Sequence, residues 1–368
     1  MGVFEGVLYP NEIFASLYNL IISVQCFADN IAGTNSKLVD MARTDGGLYG
    51  DQKVYIATDA LYSNPWGADA EAENLLEVNR PKDPEPQYIR LDVFRQIRVT
   101  VDNYLSKRSW GDEGSFSLFM SVILGWLNDT KRIYDSTTYN VFFGTRETDV
   151  GRQIQEVALT TPNGEEANRM NAQKIAQKIA DLIVEMEDVS RDFNDYGFIR
   201  SYDKESIKIV WNSRWVNQIT KVDVPSLYHK DIFEDMSLSL PAKYFGAISD
   251  AATTVSSNDG TYRAAREFFD SNGNHYFAGE ELKDGEYAEG DVYQTDENII
   301  CKIVIKLPPY MSAFQVGTSF FNARALNENH YITFGHNSLE HLKNYPFITV
   351  KANITDPAQA TDPAQAGT

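Results

Sequence analysis

Residues 88–102 read YIRLDVFRQIRVTVD. Ile89, Leu91, Val93, Ile97, Val99 and Val101 share one parity, and Arg90, Asp92, Gln96, Arg98, Thr100 and Asp102 share the other. A period of two in apolar side chains marks a strand with one buried face and one wet, charged face. Phe94 and Arg95 interrupt the alternation, and a β-bulge is expected there.

Immediately upstream, residues 61–87 carry Pro65, Pro81, Pro84 and Pro86 among acidic side chains. Prolines at that density remove backbone donors and block both helix and central strand. The segment is therefore expected to be an exposed loop tip, with one short helical turn over 69–76. A second extended run, residues 52–58, precedes it and is fed by the Gly-rich turn DGGLYG, residues 45–50. That turn lacks the Lys-Ser/Thr of a phosphate cradle, so it reads as a tight turn only. Two extended runs joined by an exposed tip form a projecting hairpin, which is at best marginally stable by itself in water. Such an arm calls for a partner. Further upstream, in residues 11–30, Ile13, Leu17, Leu20, Ile21 and Val24 recur at helical spacing. This apolar stripe suits either an ordinary core helix or docking on a neighbouring chain.

Downstream, residues 116–134 place Phe116, Phe119, Met120, Ile123, Leu124 and Leu127 on one broad helical face. Gly125 weakens that helix locally, and Trp126 lies at the edge of its stripe. Strands are expected at 139–144 and 153–159, followed by the turn Pro162-Asn163-Gly164. The strongest helix spans 165–190, with Met170, Ile175, Ile179, Leu182, Ile183, Met186 and Val189 as its buried stripe. Ala176 and Ala180 allow close approach there. A β-rich run opens at 206–215, and 260–298 is an acidic, turn-rich, solvent-facing excursion. An apolar strand returns at 299–307. The tail, 355–368, contains a tandem TDPAQA hexapeptide without large apolar residues and reads as disordered.

Composition bounds the function. The chain has 368 residues, 43% of them hydrophobic and 23% charged, which is globular and allows one large or two ordinary domains. A net charge of −19 opposes adsorption to nucleic acid or an anionic membrane. It does not oppose enclosing nucleic acid without gripping it. Cys26 and Cys301 are far apart in apolar contexts and make neither a disulfide framework nor a metal motif. The first residues lack the basic region of a signal peptide, and the most apolar stretches are too short to span a bilayer. The expectation is a soluble protein made in the cytosol.

Chemistry-bearing motifs are sparse. There is no G-x-S-x-G and no Walker loop. His336 and His341 flank Glu340 at a spacing wrong for zinc protease helices, and the histidines are expected to be partly exposed surface residues. Asp270, Asn272, Asn274 and Glu281 occupy positions one, three, five and twelve of a calcium-type loop. Position six, which needs Gly, is His275, and an Asn272-Gly273 hairpin turn explains the same residues without a metal. An acidic, Tyr- and Trp-rich chain also suits a glycan-acting enzyme or binding module, but no carboxylate pair can be singled out for that chemistry. No cofactor is expected.

Four segments in this order, NLIISVQCFADN (19–30), DGGLYGD (45–51), VFRQIRVTVDNY (93–104) and IKIVWNSRW (207–215), resemble the major capsid proteins of small tailed bacteriophages. These have the Hong-Kong-97-type coat fold. The match lies in order and spacing and covers most of the chain through about residue 353. The resemblance implies an α+β fold. Its parts would be an N-terminal arm (1–44), an elongated β-hairpin loop with an acidic tip (45–105) and a peripheral domain with a long spine helix (106–205). An axial domain with a mixed sheet follows (206–298), carrying the acidic insertion at about 260–298. Return strands (299–354) complete the sheets before the tail. Leu17, Leu20, Ile21, Val24 and Phe27 on the arm, with Tyr49, Trp66, Phe94 and Trp110 around the loop, are the expected contacts between subunits.

By the same resemblance the protein would self-assemble as pentamers and hexamers into a shell around double-stranded DNA, without sequence-specific binding and without a membrane. It would be a virion component made in the bacterial host cytoplasm. No protease or scaffold segment is recognisable, so a separate scaffolding protein and a portal are expected partners. An encapsulin-like compartment shell is the alternative within the same fold.

Overall fold

The computed structural model describes residues 37–46, 51–63, 78, 80–102, 113–161, 164–220, 238–256 and 260–355. In chain order the elements begin with α1 (Lys37–Ala42), β1 (Arg43–Asp45), β2 (Gln52–Ala57), β3 (Glu85–Val101) and α2 (Glu113–Thr145). Then come β4 (Ile154–Thr160), α3 (Glu165–Glu187), β5 (Lys208–Asn212), α4 (Ser213–Thr220) and β6 (Ser239–Leu240). Seven short strands follow: β7 (Gly246–Ile248), β8 (Thr253–Val255), β9 (Tyr262–Ala264), β10 (Phe268–Phe269), β11 (His275–Tyr276), β12 (Gly285–Tyr287) and β13 (Val292–Thr295). The chain closes with β14 (Ile299–Val304), β15 (Tyr310–Asn322), β16 (Asn327–Asn337) and β17 (Phe347–Thr355).

Two five-stranded sheets organise the molecule. The first has the order β1-β15-β16-β3-β2. Its inner face, with Ile97 and Val99 of β3 and Ile332 and Phe334 of β16, packs on Leu127 and Tyr134 of α2. The second has the order β4-β17-β14-β5-β6. One side of it packs on α3, joining Val157, Leu159, Trp211 and Ile303 with Ile175, Ile179, Leu182 and Met186. Tyr139 and Phe143, near the end of α2, cover Val210, Ile299, Val304 and Phe347 on the other side. With both faces covered, every residue of β14 is buried, which explains its apolar run. Helix α2 is therefore shared, with its middle on the first sheet and its end on the second.

Several expectations are corrected. Residues 139–144 are not a strand but the last turns of α2. Tyr139 and Phe143 sit four residues apart and both face the core, and the hydroxyls of Thr137 and Thr145 donate back to Ile133 O and Val141 O at 2.8 Å. Burial of that stripe overrides the local β preference of a Thr- and aromatic-rich run. Helix α3 ends at Glu187, and Met170 and Val189 are exposed. The bulge in β3 lies at Asp92, which the register skips between His336↔Val93 and Asn337↔Leu91. Arg95 does not break the pattern. It stays on the covered side, with its guanidinium 5.4 Å from the Tyr134 ring centre and donating to Glu267 O at 3.0 Å.

The acidic excursion is a folded unit and not a solvent-facing loop. Strands β7, β13 and β9 form one sheet, and β8–β12 and β10–β11 form two ribbons. Val255, Ala264, Tyr276, Leu282, Tyr287 and Val292 make its core. It is anchored to α2 through Tyr293, Ala278, Tyr244 and Val141. Gly279, at φ +84°, is required at that junction, because a Cβ there would lie 2.7 Å from the Tyr244 ring. Among the described residues, no helix is long and apolar enough to cross a membrane.

Candidate assembly surface

Strand β3 serves two structures. Its first six residues pair with β2, from Gln52↔Arg90 to Ala57↔Glu85. From Leu91 to Val101 it pairs instead with β16. The change of partner falls next to the Asp92 bulge, where Ser338 N donates to Asp92 Oδ1 at 2.6 Å. The loop between β2 and β3 thus emerges from the end of a sheet and not from a free-standing hairpin.

Both limbs of that loop are tied to the body. Beyond β2, Asp59 Oδ1 accepts from Ile199 N at 3.0 Å, and Oδ2 accepts from Arg191 Nη1 at 3.0 Å. The Ile199 amide and the Arg191 guanidinium hold this carboxyl well below the usual range, at about 2. Arg200 Nη2 donates to Thr58 O. On the returning limb, Lys82 Nζ lies 4.7 Å above the Phe198 ring centre. Gln87 Nε2 donates to His341 O at 2.9 Å, and Gln87 Oε1 accepts from Lys343 N at 3.0 Å.

His341 is the buried hub behind Gln87, and this corrects the expectation of a surface residue; His336 and His330 are buried too. Its Nδ1 accepts from Arg146 Nε at 3.3 Å, so Nε2 carries the proton and donates to Asp195 Oδ2 at 2.7 Å. Burial alone would raise the Asp195 carboxyl, but the hydrogen bonds from His341 and from Gln153 outweigh it and hold the group low. Thr148 Oγ1 lies 3.4 Å from the same Nε2. A nucleophile, an imidazole and a carboxylate therefore meet, yet hydroxyl and acid share one ring nitrogen, which leaves no free lone pair to take the Thr148 proton. The arrangement fastens three loops and performs no relay.

A second buried node sits where α1 enters the body. Leu38, Val39 and Ala42 pack on α2, and Asp135 of α2 gathers three partners. Lys131 Nζ lies 2.7 Å and Arg43 Nη2 3.5 Å from its Oδ2, and Tyr310 donates to Oδ1 at 2.5 Å. Burial, then the Asp135 charge, pushes the Tyr310 hydroxyl far up. Residues 38–43 are therefore held in a corner between α2 and β15.

Exposed apolar side chains occur on the β2–β3 loop base and at a hairpin tip. Val54, Ile56, Tyr88 and Phe94 are exposed on β2 and β3, Ile56 by 66%. Arg90 and Arg98 are exposed alongside them. Phe320, Phe321 and Leu326 are exposed at the tip of the β15–β16 hairpin, Phe320 by 62%. Among the described residues β15 has a neighbour on its outer side only over Tyr310–Ser312. A long strand edge with apolar side chains around it is a surface suited to another chain.

In the calcium-type segment the carboxylates of Asp270 and Glu281 have partners of their own. Asp270 accepts from Asn272 N at 2.9 Å, Asn274 N at 2.7 Å and Asn274 Nδ2 at 2.8 Å, and Glu281 pairs with Arg263 at 3.9 Å. Those amides hold the Asp270 carboxyl low. Gly273, at φ +82°, completes the β10–β11 turn. Among the described residues no three His, Cys, Asp or Glu side chains are placed to hold a metal ion.

No family model matches the chain, and no characterised protein matches it in sequence. Solved structures do match. A chain in the capsid structure of Staphylococcus phage Andhra superposes with a TM-score of 0.60 at 8% identity, covering 88% of this chain and 86% of that one. A chain in the structure of the head fiber and inner core protein gp22 of native bacteriophage P68 gives 0.55 at 8% identity, over 84% and 82%. The fold is a phage capsid fold. The α+β coat fold implied by the sequence is thus the one found. At such identity the likeness carries architecture and no residue roles.

Within this capsid fold, Phe94 lies on the exposed side of β3. The other expected contacts, Leu17, Leu20, Ile21, Val24, Phe27, Tyr49, Trp66 and Trp110, lie outside the described residues, as do the helical turn expected at 69–76 and the tail after Thr355, the last residue of β17. Asp59, Gln87, Arg191 and Arg200, which fix the loop base with His341, were not singled out from the sequence, and His341 was read only as a surface residue. Each makes its contacts across long separations in the chain, and no local spacing marks them.

Proposed function

We propose that this chain is the shell-forming subunit of a tailed-phage head, assembling with copies of itself around double-stranded DNA. The observation that carries the reading is the capsid fold extending over most of the chain, with the loop that would reach a neighbour tied firmly at its base. Closed symmetry lets many modest contacts sum to a stable shell. The exposed apolar residues at the loop base and hairpin tip supply such contacts, and a net charge of −19 keeps packed DNA from adhering to the wall. On this reading the working unit is an interface and not a catalytic pocket. Pentamers and hexamers, a separate scaffolding protein, a portal, and a place in the virion after synthesis in the bacterial cytoplasm belong to the same proposal.

The test is to express the chain with and without its neighbouring head proteins, then examine the product by light scattering and negative-stain electron microscopy. Shells or five- and six-membered capsomers are expected. A strictly monomeric species under every assembly condition would overturn the reading, and shells filled with protein cargo in place of DNA would point to a compartment shell.

A further inference from the structure

The turn formed by residues 191–200 is braced independently of the loop that rests on it. Asn194, buried, accepts from Phe198 N at 2.9 Å and donates to Phe198 O at 2.7 Å. Ser190 and Arg200 exchange two backbone hydrogen bonds at 2.9 Å, and Asp195 N donates to Lys343 O at 2.8 Å. Gly197 takes φ +63°. The turn is thus a preformed platform. Thr58 and Asp59 lie past the last β2–β3 pair, so they add nothing to the sheet. Asp59 enters none of the apolar clusters, yet its side chain is only 9% exposed, because both carboxylate oxygens face the platform.

Asp59 is matched to that position. Oδ1 takes the Ile199 amide and its own neighbour Ala60 N at 2.9 Å, and Oδ2 takes Arg191, whose Nη1 also donates to Gly197 O at 2.8 Å. Arg200 holds Thr58 O while its Nε donates to Asn344 Oδ1 at 3.3 Å. The returning limb meets the same platform through Lys82 on Phe198, and Phe198 stacks on Tyr196 at 5.4 Å. Two limbs of one loop therefore converge on a single ten-residue turn of their own subunit.

We propose that Asp59 is a positioning residue that seats the loop between β2 and β3 on the 191–200 platform and so sets the direction in which it reaches a neighbouring subunit. The proposal rests on the reading of the chain as a shell subunit. Once the carboxylate is removed, the fold loses no core packing and the platform stays braced. What is lost is the fixed exit of the outgoing limb, and with it the docking of Lys82.

The experiment compares the full-length protein with Asp59→Ala, Asp59→Asn and Arg191→Gln. Three readouts are followed: the melting transition, the rate of tryptic cleavage after Lys82 in unassembled protein, and the yield of closed shells. The melting transition should fall by no more than a few degrees, because no core packing is removed. Cleavage after Lys82 should accelerate, roughly tenfold in Asp59→Ala, as expected when several hydrogen bonds, one of them charge-assisted, stop holding the seated state. Closed shells should give way to open or irregular particles, with Asp59→Asn intermediate. Unchanged cleavage in folded Asp59→Ala would overturn the seat, and faster cleavage with normal shells would overturn its role in assembly. Should Asp59→Ala fail to fold, Arg191→Gln removes the same ion pair from an exposed side chain, and its cleavage rate and shell yield decide the same two points. If the wild type never assembles, the shell reading falls, while the cleavage comparison still decides whether Asp59 holds the loop.

Discussion

Tyr134 on α2 donates its hydroxyl to Nε2 of His336 on β16 at 2.8 Å, and His336 Nδ1 donates to Asn337 O at 2.8 Å. The ring is buried, stacks on Tyr310 at 5.3 Å, and must be neutral to accept from Tyr134. Helix and sheet are joined by a hydrogen bond that a proton would disturb. Burial holds the imidazole below its ordinary value, with Arg95 adding to that effect and Asp135 and Asp92 opposing it. The unfolded chain takes up its proton near the ordinary value of 6.5. The contribution of His336 to stability is therefore present above that pH and is lost as pH falls below it. Urea unfolding should show declining stability between about pH 7 and 5. His336→Phe should flatten that slope while costing about 1–2 kcal/mol at neutral pH, because Tyr134 is left without its acceptor.

Lys302, in the middle of β14, gives a pH effect of the same sign in a higher pH window. It is fully buried and donates to Arg146 O at the end of α2, where the helix carbonyls favour a cation. Burial pulls its ammonium down to about 7, although Glu147 pushes the other way. Between that value and the ordinary 10.5 the unfolded chain binds the extra proton, so stability rises with pH across this window. Melting temperatures of wild type and Lys302→Met, measured from pH 6 to about 10, should therefore differ in slope. The wild type should rise relative to the variant, and parallel curves would contradict the assignment.

Two glycines of α2 should respond oppositely to alanine. A Cβ on Gly125 meets nothing within 4 Å, so Gly125→Ala should stabilise by up to about 1 kcal/mol through helix propensity alone. A Cβ on Gly144 would fall 2.1 Å from Tyr244 O, a backbone atom that cannot turn away. Gly144→Ala should cost at least ~1–3 kcal/mol, as overpacking does. Calorimetry on the two variants tests both directions in one helix.

Shortening the loop separates assembly from folding only if the cut is placed correctly. Removing residues 61–87 would take away Glu85, Pro86 and Gln87, which pair with β2, and the Gln87 bonds to His341 and Lys343. That variant should lose melting temperature as well as assembly. Replacing only residues 64–79 with a short Gly-Ser linker should keep the melting temperature and abolish closed shells in electron micrographs. Normal shells from the second variant would remove the loop from the assembly mechanism.

The long periodic segments were legible in the sequence. The alternation of residues 88–102 and the stripe through Ile175, Ile179, Leu182 and Met186 each place one side against a core, and the structure buries those sides. Residues 139–144 misled because Tyr139, Val141, Phe142 and Phe143 have local β preference, and only the two sheets that α2 must serve make the run helical. The buried histidines misled for a related reason. Polar residues enter a core when partners arrive from elsewhere, and Tyr134, Asp195 and Arg146 lie far from His336 and His341 in the chain. The seat of Asp59 was invisible on the same ground.

The shared strand β3 decides how a subunit would take a pull. Tension applied to the projecting loop runs along the covalent backbone of β3 into the stretch paired with β16. There it acts parallel to the strands, so the pairs from Leu91 to Val101 resist together, as a lap joint does. On the other limb, β2 ends at Ala57, and its sheet contact is the six pairs with β3, close to the Asp59 anchor. A shell of such subunits would be stiff along one limb of each loop and compliant along the other, yielding first at the seat while the sheet stays whole.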